Sequence, residues 1–111
     1  MTTVELYYND DNKIIKVLVS GHAGFKESDD IVCASISAIT QTALLGLIKV
    51  VGLDIDYEVE DGYLSFEIPQ NLDLTDQTKV DAIVQTMKEG LLDVESGYKK
   101  FVKLEEIYNV Y

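Results

Sequence analysis

The chain has 111 residues, with twenty acidic side chains against nine basic and a formal net charge of −11. That length suits one domain, residues 1–111, burying about two-thirds of the surface of its unfolded form. Every base is lysine, so nucleic-acid phosphates are disfavoured as partners and a basic peptide is favoured, although acidity also serves solubility alone.

The first elements form a hairpin. Residues 3–8 alternate, with Val4, Leu6 and Tyr8 on one face, and 14–19 put Ile15, Val17 and Val19 on one face. Asn9 to Asn12 is turn chemistry. This acidic, strand-like start does not read as a signal peptide.

Next come the single His and the single Cys, eleven positions apart, in SGHAGFKESDDIVCASISAITQTALL. His22 sits between Gly21 and Gly24, where a missing Cβ permits sharp turns. Asp29 and Asp30 precede the apolar run as N-cap candidates. With Asp30 as cap, Cys33 is the third helical residue, among backbone amides without intrahelical partners and at the positive end of the helix dipole. Those amides are candidate oxyanion donors. An imidazole able to reach a thiol at a helix start is the layout of a nucleophile and its base. Taken singly, Cys33 also reads as a small buried hydrophobe and His22 as a surface residue.

The helix expected over 31–51 is apolar round most of its circumference, so it needs cover on more than one side. A homodimer burying part of Ile36, Ile39, Ala43 or Leu47 would supply it. Ser35, Ser37, Thr40, Gln41, Thr42 and Lys49 interrupt the run, so no membrane-spanning segment is expected. Ser37 lies one turn from Cys33, either supporting the thiol or bonding back to its own helix.

Residues 54–60 and 63–68 form a second hairpin across Asp61-Gly62. Ile55, Tyr57, Val59, Leu64, Phe66 and Ile68 point inward, and Asp54, Asp56, Glu58, Glu60 and Glu67 make an outer carboxylate row. Thr75 or Asp76 caps a second helix, whose buried stripe is Val80, Ile83, Val84, Met87 and Leu91. Gly97 ends it and 101–108 is the last strand. The order ββαββαβ describes an α+β two-layer sandwich, a mostly antiparallel sheet packed by two helices.

One Cys excludes a disulfide framework and suits a reducing cytoplasm, and one Cys with one His falls short of the three or four ligands of a conventional zinc site. No phosphate loop, dinucleotide fingerprint or Ser–His–Asp arrangement is present, so no cofactor or metal is expected.

Gly21-His22-Ala23 and Asp30-Ile31-Val32-Cys33-Ala34-Ser35-Ile36-Ser37, with the apolar helix after them, resemble the signature of the ribosomal-processing cysteine protease family (Prp). The resemblance implies a His22–Cys33 dyad, a homodimer, and removal of a short N-terminal extension from a large-subunit ribosomal protein. Where many members carry Gly two positions before the Asp and a loop one residue longer, this chain has Ser28 and a shorter loop. On this reading Gly21, Asp30 and Ser37 are supporting residues. Two readings from other classes stay beside it: an acidic module that binds a basic ribosomal protein without cutting it, and a thiol redox protein, which has no resolving Cys in the chain.

Overall fold

Five strands form one sheet in the order β3-β4-β2-β1-β5. The elements are β1 (Thr2–Tyr8), β2 (Ile14–Ser20), α1 (Asp29–Leu45), β3 (Asp56–Glu60), β4 (Tyr63–Glu67), α2 (Leu74–Gly97) and β5 (Val102–Ile107). The computed structural model describes residues 1–21 and 29–110, and of Asp29 and Asp30 the backbone alone. All strand pairs are antiparallel except β1 with β5, so the expected ββαββαβ sandwich stands.

Alternation builds the sheet's inner face. Thr2, Val4, Leu6 and Tyr8 of β1 are buried, as are Val17 and Val19 of β2 and Leu64 and Phe66 of β4. They meet Val32, Ile36, Leu44 and Leu47 from the first helix and Val80, Val84, Met87 and Leu91 from the second. Each such side chain contributes about 1.5–3 kcal/mol on full burial, so these stripes carry most of the driving force. A register shift between Tyr7 and Tyr8 pairs Ile14 with Tyr8, so Ile14 joins the core with Val17 and Val19, whereas Ile15, expected on that face, stays outside the core cluster in a groove with Tyr7 and Lys16.

Several expectations change. The first helix begins at Asp29, and its last six residues, Gly46–Val51, widen into a π-helix that Gly52 closes at φ 85°. The second helix is capped by Asp73, not by Thr75 or Asp76, because the Asp73 carboxylate accepts the Asp76 N–H at 2.8 Å. Tyr57 and Val59 have the expected parity, opposite Phe66 and Leu64, yet they are 58% and 45% exposed. Strand β3 is the sheet edge, where the helix layer does not cover its inner face. Asp56, Glu58 and Glu60 share the opposite face with Glu67, and carboxylates on an edge strand discourage pairing with another chain.

Ile31–Val51, with mean hydropathy 1.9 over 21 residues, is long and apolar enough to cross a membrane by those measures, despite its polar interruptions. In this fold its inner side is committed to the core through Val32, Ile36, Ala43, Leu44 and Leu47. The same commitment corrects the expected interface, since Ile36, Ala43 and Leu47 are 1%, 5% and 0% exposed within one chain. Of that set Ile39 alone is only partly buried, and it lines an apolar groove of about 750 Å³ with Ala38, Val50 and Ile83.

Candidate active site

Strand β2 delivers the chain to Gly21 through a tight junction. Gly21 has φ +91°, its N–H donates to Gly62 O at 2.9 Å, and a Cβ there would stand 2.5 Å from Met1 O. Gly62 itself has φ 73° in the two-residue turn of the β3–β4 hairpin. Two glycines in the left-handed region therefore lock the end of β2, the hairpin turn and Met1, just ahead of β1, together.

Cys33 lies on the other side of the same junction. It is half-buried on the first helix and lines a pocket of about 110 Å³. Gly21, Ser37, Asp61 and Gly62 line this pocket too, so three segments far apart in sequence converge on the thiol. Cys33 and Ser37 share a helix face, as their four-residue spacing requires. Because the helix starts at Asp29, Cys33 is its fifth residue rather than its third. Its own N–H then falls within the helical ladder, and the open amides of the first turn precede it.

The other expected site residues separate clearly. His22 lies outside the described residues. Asp30 is inside the helix rather than capping it, and its side chain is not described. Gly21 and Ser37 both border the pocket. The hydroxyls of Ser35 and Thr40 bond back to the helix carbonyls of Ile31 and Ile36, each at 2.8 Å, the role left open for Ser37. Sequence reasoning missed Thr2 and Thr40, which line the pocket while 2% and 1% exposed. Extending the β1 alternation back by one residue finds Thr2, and the helical period through Cys33, Ile36 and Thr40 finds the other.

Charge at the mouth is negative. Glu60 and Asp61 border the pocket, and no lysine does among the described residues. No group of three or more potential metal ligands occurs among them either.

The resolved pKa shifts gather at the far end of β1, about 20 Å away by strand rise. There the Tyr8 hydroxyl donates to Glu106 at 2.7 Å, Lys88 reaches the same oxygen at 3.0 Å, and the Tyr108 hydroxyl at 2.8 Å. Burial, reinforced by the bond to Glu106, pushes Tyr8 up to about 12. The bond from Tyr8, then that from Lys88, holds Glu106 below the usual carboxylate range against its own burial. With Tyr8 and Tyr108 stacked at 4.5 Å, this cluster fastens the C-terminal segment to the sheet.

A half-buried thiol on a helix, facing a hairpin turn across a small pocket, matches one family over nearly the whole chain. Residues 1–103 match the model of cysteine protease Prp. The chain belongs to the Prp family of cysteine proteases. The ribosomal processing cysteine protease Prp of Staphylococcus aureus (strain Mu50 / ATCC 700699) is 34% identical over 111 residues, covering 94% of this chain and 97% of that protein. The Bacillus subtilis (strain 168) protein of the same name is 32% identical over 92 residues, covering 80% and 82%. The crystal structure of the S. aureus Prp with a covalently linked product peptide superposes with a TM-score of 0.82 at 28% identity, covering 96% of this chain and 99% of that one. The Prp relationship makes this chain a cysteine protease of α+β fold.

Proposed function

We propose that this protease removes an N-terminal extension from a large-subunit ribosomal protein in the cytoplasm, with Cys33 as nucleophile and His22 as general base. The observation that carries the reading is the position of Cys33, the only thiol in the chain, at a pocket that the first helix and the β3–β4 hairpin form together. A peptide laid across that mouth presents a carbonyl to Sγ. His22 takes the thiol proton, Sγ adds to the carbonyl carbon, and the proton passes to the departing amine as the peptide C–N bond breaks. Water then releases the acyl group and restores the thiol. The relatives' names support the ribosomal substrate, and the S. aureus structure with a covalently linked product peptide supports covalent catalysis. Glu60, Asp61 and the net charge of −11 favour a lysine- and arginine-rich substrate.

Two protomers associate, in this proposal, through the apolar groove that Ile39, Val50 and Ile83 line, with Val50 77% exposed in the single chain. The test of the catalytic assignment is mass spectrometry of the host's ribosomal protein after incubation with the enzyme. Cys33→Ala, Cys33→Ser and His22→Ala should fold normally and leave the substrate whole. Cleavage by Cys33→Ala would end the assignment, and binding without cleavage by the wild type would favour an acidic binding module.

A further inference from the structure

The two free edges of the sheet are finished differently. Beyond β5 the outward amides are taken: Val102 N–H donates to Tyr98 O at 3.2 Å, and Leu104 N–H donates to the Glu95 carboxylate. Beyond β3 they are not. The two-residue turn makes Glu60 and Tyr63 the hydrogen-bonded pair beside it, so the bonds to β4 come from Glu60, Glu58 and Asp56. The N–H and C=O groups of Tyr57 and Val59 therefore point away from the sheet. Among the described residues no backbone bond from another segment reaches either of them. The side chains of this edge are also sorted by face. Tyr57 and Val59 present apolar surface on the helix side, while Asp56, Glu58 and Glu60 line the opposite side.

We infer that the open edge of β3 is a docking strand for the protein substrate, which adds a basic, extended segment to the sheet as a sixth strand. Main-chain bonds to Tyr57 and Val59 supply affinity, and side chains on alternate faces supply selectivity. The charge on the edge decides which chain fits. A second copy of β3 would bring its own three carboxylates against Asp56, Glu58 and Glu60, and like charges across a strand pair are destabilising. A segment alternating lysine or arginine with apolar residues instead sets its cations beside those carboxylates and its apolar side chains beside Tyr57 and Val59. Val59 and Glu60 border the Cys33 pocket, whereas Asp56 lies about 13 Å further back along the strand. The docked segment is thus several residues removed from the bond that is cut.

This inference rests on the reading of the chain as an endopeptidase with a peptide across Cys33, so its test separates docking from turnover. Cys33→Ala protein is titrated with a synthetic peptide alternating Lys with Val, with one of the same composition in two blocks, and with a Glu–Val counterpart, while NMR follows backbone amide exchange. In the free protein the Tyr57 and Val59 amides should exchange quickly and those of Glu58 and Glu60 slowly. At saturating Lys–Val peptide all four should be slow, and the other two peptides should bind several-fold more weakly. Methylating a peptide nitrogen that faces β3 should weaken binding by about three- to tenfold, and methylating the interleaved nitrogens should not, because only the former loses a net hydrogen bond. Tyr57→Pro removes one edge N–H without touching the β4 ladder and should cost the same factor relative to Tyr57→Val. The methylation series uses the parent fold, so it decides the matter even where Tyr57→Pro does not fold. Fast Tyr57 and Val59 exchange at saturation, methylation effects without a two-residue period, equal binding by folded Tyr57→Pro and Tyr57→Val, or slow exchange of those amides through self-association of the free protein would each overturn the inference. Lys–Val docking at β3 with the host's ribosomal protein left whole by the wild type would instead refute the endopeptidase reading and leave the docking edge standing. Cleavage of that protein, with Tyr57 and Val59 still exchanging quickly when Cys33→Ala binds it, would do the reverse.

Discussion

Gly21→Ala tests how the site is held together. The substitution asks an L-residue to adopt φ +91° and places a Cβ 2.5 Å from the Met1 carbonyl oxygen. Backbone strain of this kind costs about 1–3 kcal/mol, and the clash is with main chain, which cannot rotate away. Met1 must therefore move, or the Gly21 N–H must leave Gly62 O, a net loss of about 0.5–1.5 kcal/mol more. A total of about 1.5–4.5 kcal/mol follows. Unfolding entropy near 2.1 cal/mol/K per residue gives about 230 cal/mol/K for 111 residues, so each kcal/mol lowers the midpoint by about 4 °C. Calorimetry should then show a fall of about 6–18 °C. Gly52→Ala is the control: φ is similar at +85° but nothing lies within 4 Å of the new Cβ, so strain acts alone and the fall should be about two-thirds as large. Peptide cleavage by Gly21→Ala, measured well below its midpoint, should also drop, since Gly21 borders the pocket. Equal stability losses in the two variants would refute the argument that the Met1 contact constrains the junction.

Further outcomes can be checked separately. Because the folded Tyr8 pKa is raised to about 12, its contribution is full below about pH 10 and is lost as pH rises toward 12; Tyr8→Phe should flatten the alkaline decline in denaturant midpoint. Glu106 is shifted the opposite way, so its contribution is present above the unfolded carboxylate pKa and lost as pH falls through the folded one; Glu106→Gln should shallow the acid limb. Val84→Ala, at a position 1% exposed on the second helix, should lower stability by about 1–3 kcal/mol in urea titration while leaving the cleavage site unchanged. Val50→Lys should give monomers in sedimentation at micromolar concentration, and an unchanged oligomeric state would remove the groove as the interface. Cleavage of a lysine-rich substrate should weaken several-fold between low and physiological salt while a neutral peptide changes little, because rim charges are screened beyond about 8 Å.

Local chemistry wrote most of this fold into the chain. The two-residue period of β1, β2 and β4, the Asp61-Gly62 turn and the helical stripe from Val80 to Leu91 each follow from where the next side chain must point, so their faces are legible without neighbours. The lone thiol after Asp29 and Asp30, with the glycines flanking His22, likewise marks Cys33 through the residue types that such chemistry needs. Burial is another matter, since it depends on which strand lies at the edge: Val59 alternates as a core residue does, yet β3 has a neighbour on one side only and no helix above it. The same limit hid the interface, because an apolar helix does not reveal which of its sides its own sheet will take. Thr2 shows the limit most plainly. Next to Met1 it carries no signal of its own, and it becomes part of the site only when β1 pairs with β2 and the first helix packs over both, bringing residues 2, 21, 33, 40 and 62 around one small pocket. Pattern along a chain fixes direction, whereas proximity between distant segments is decided by how the layers pack.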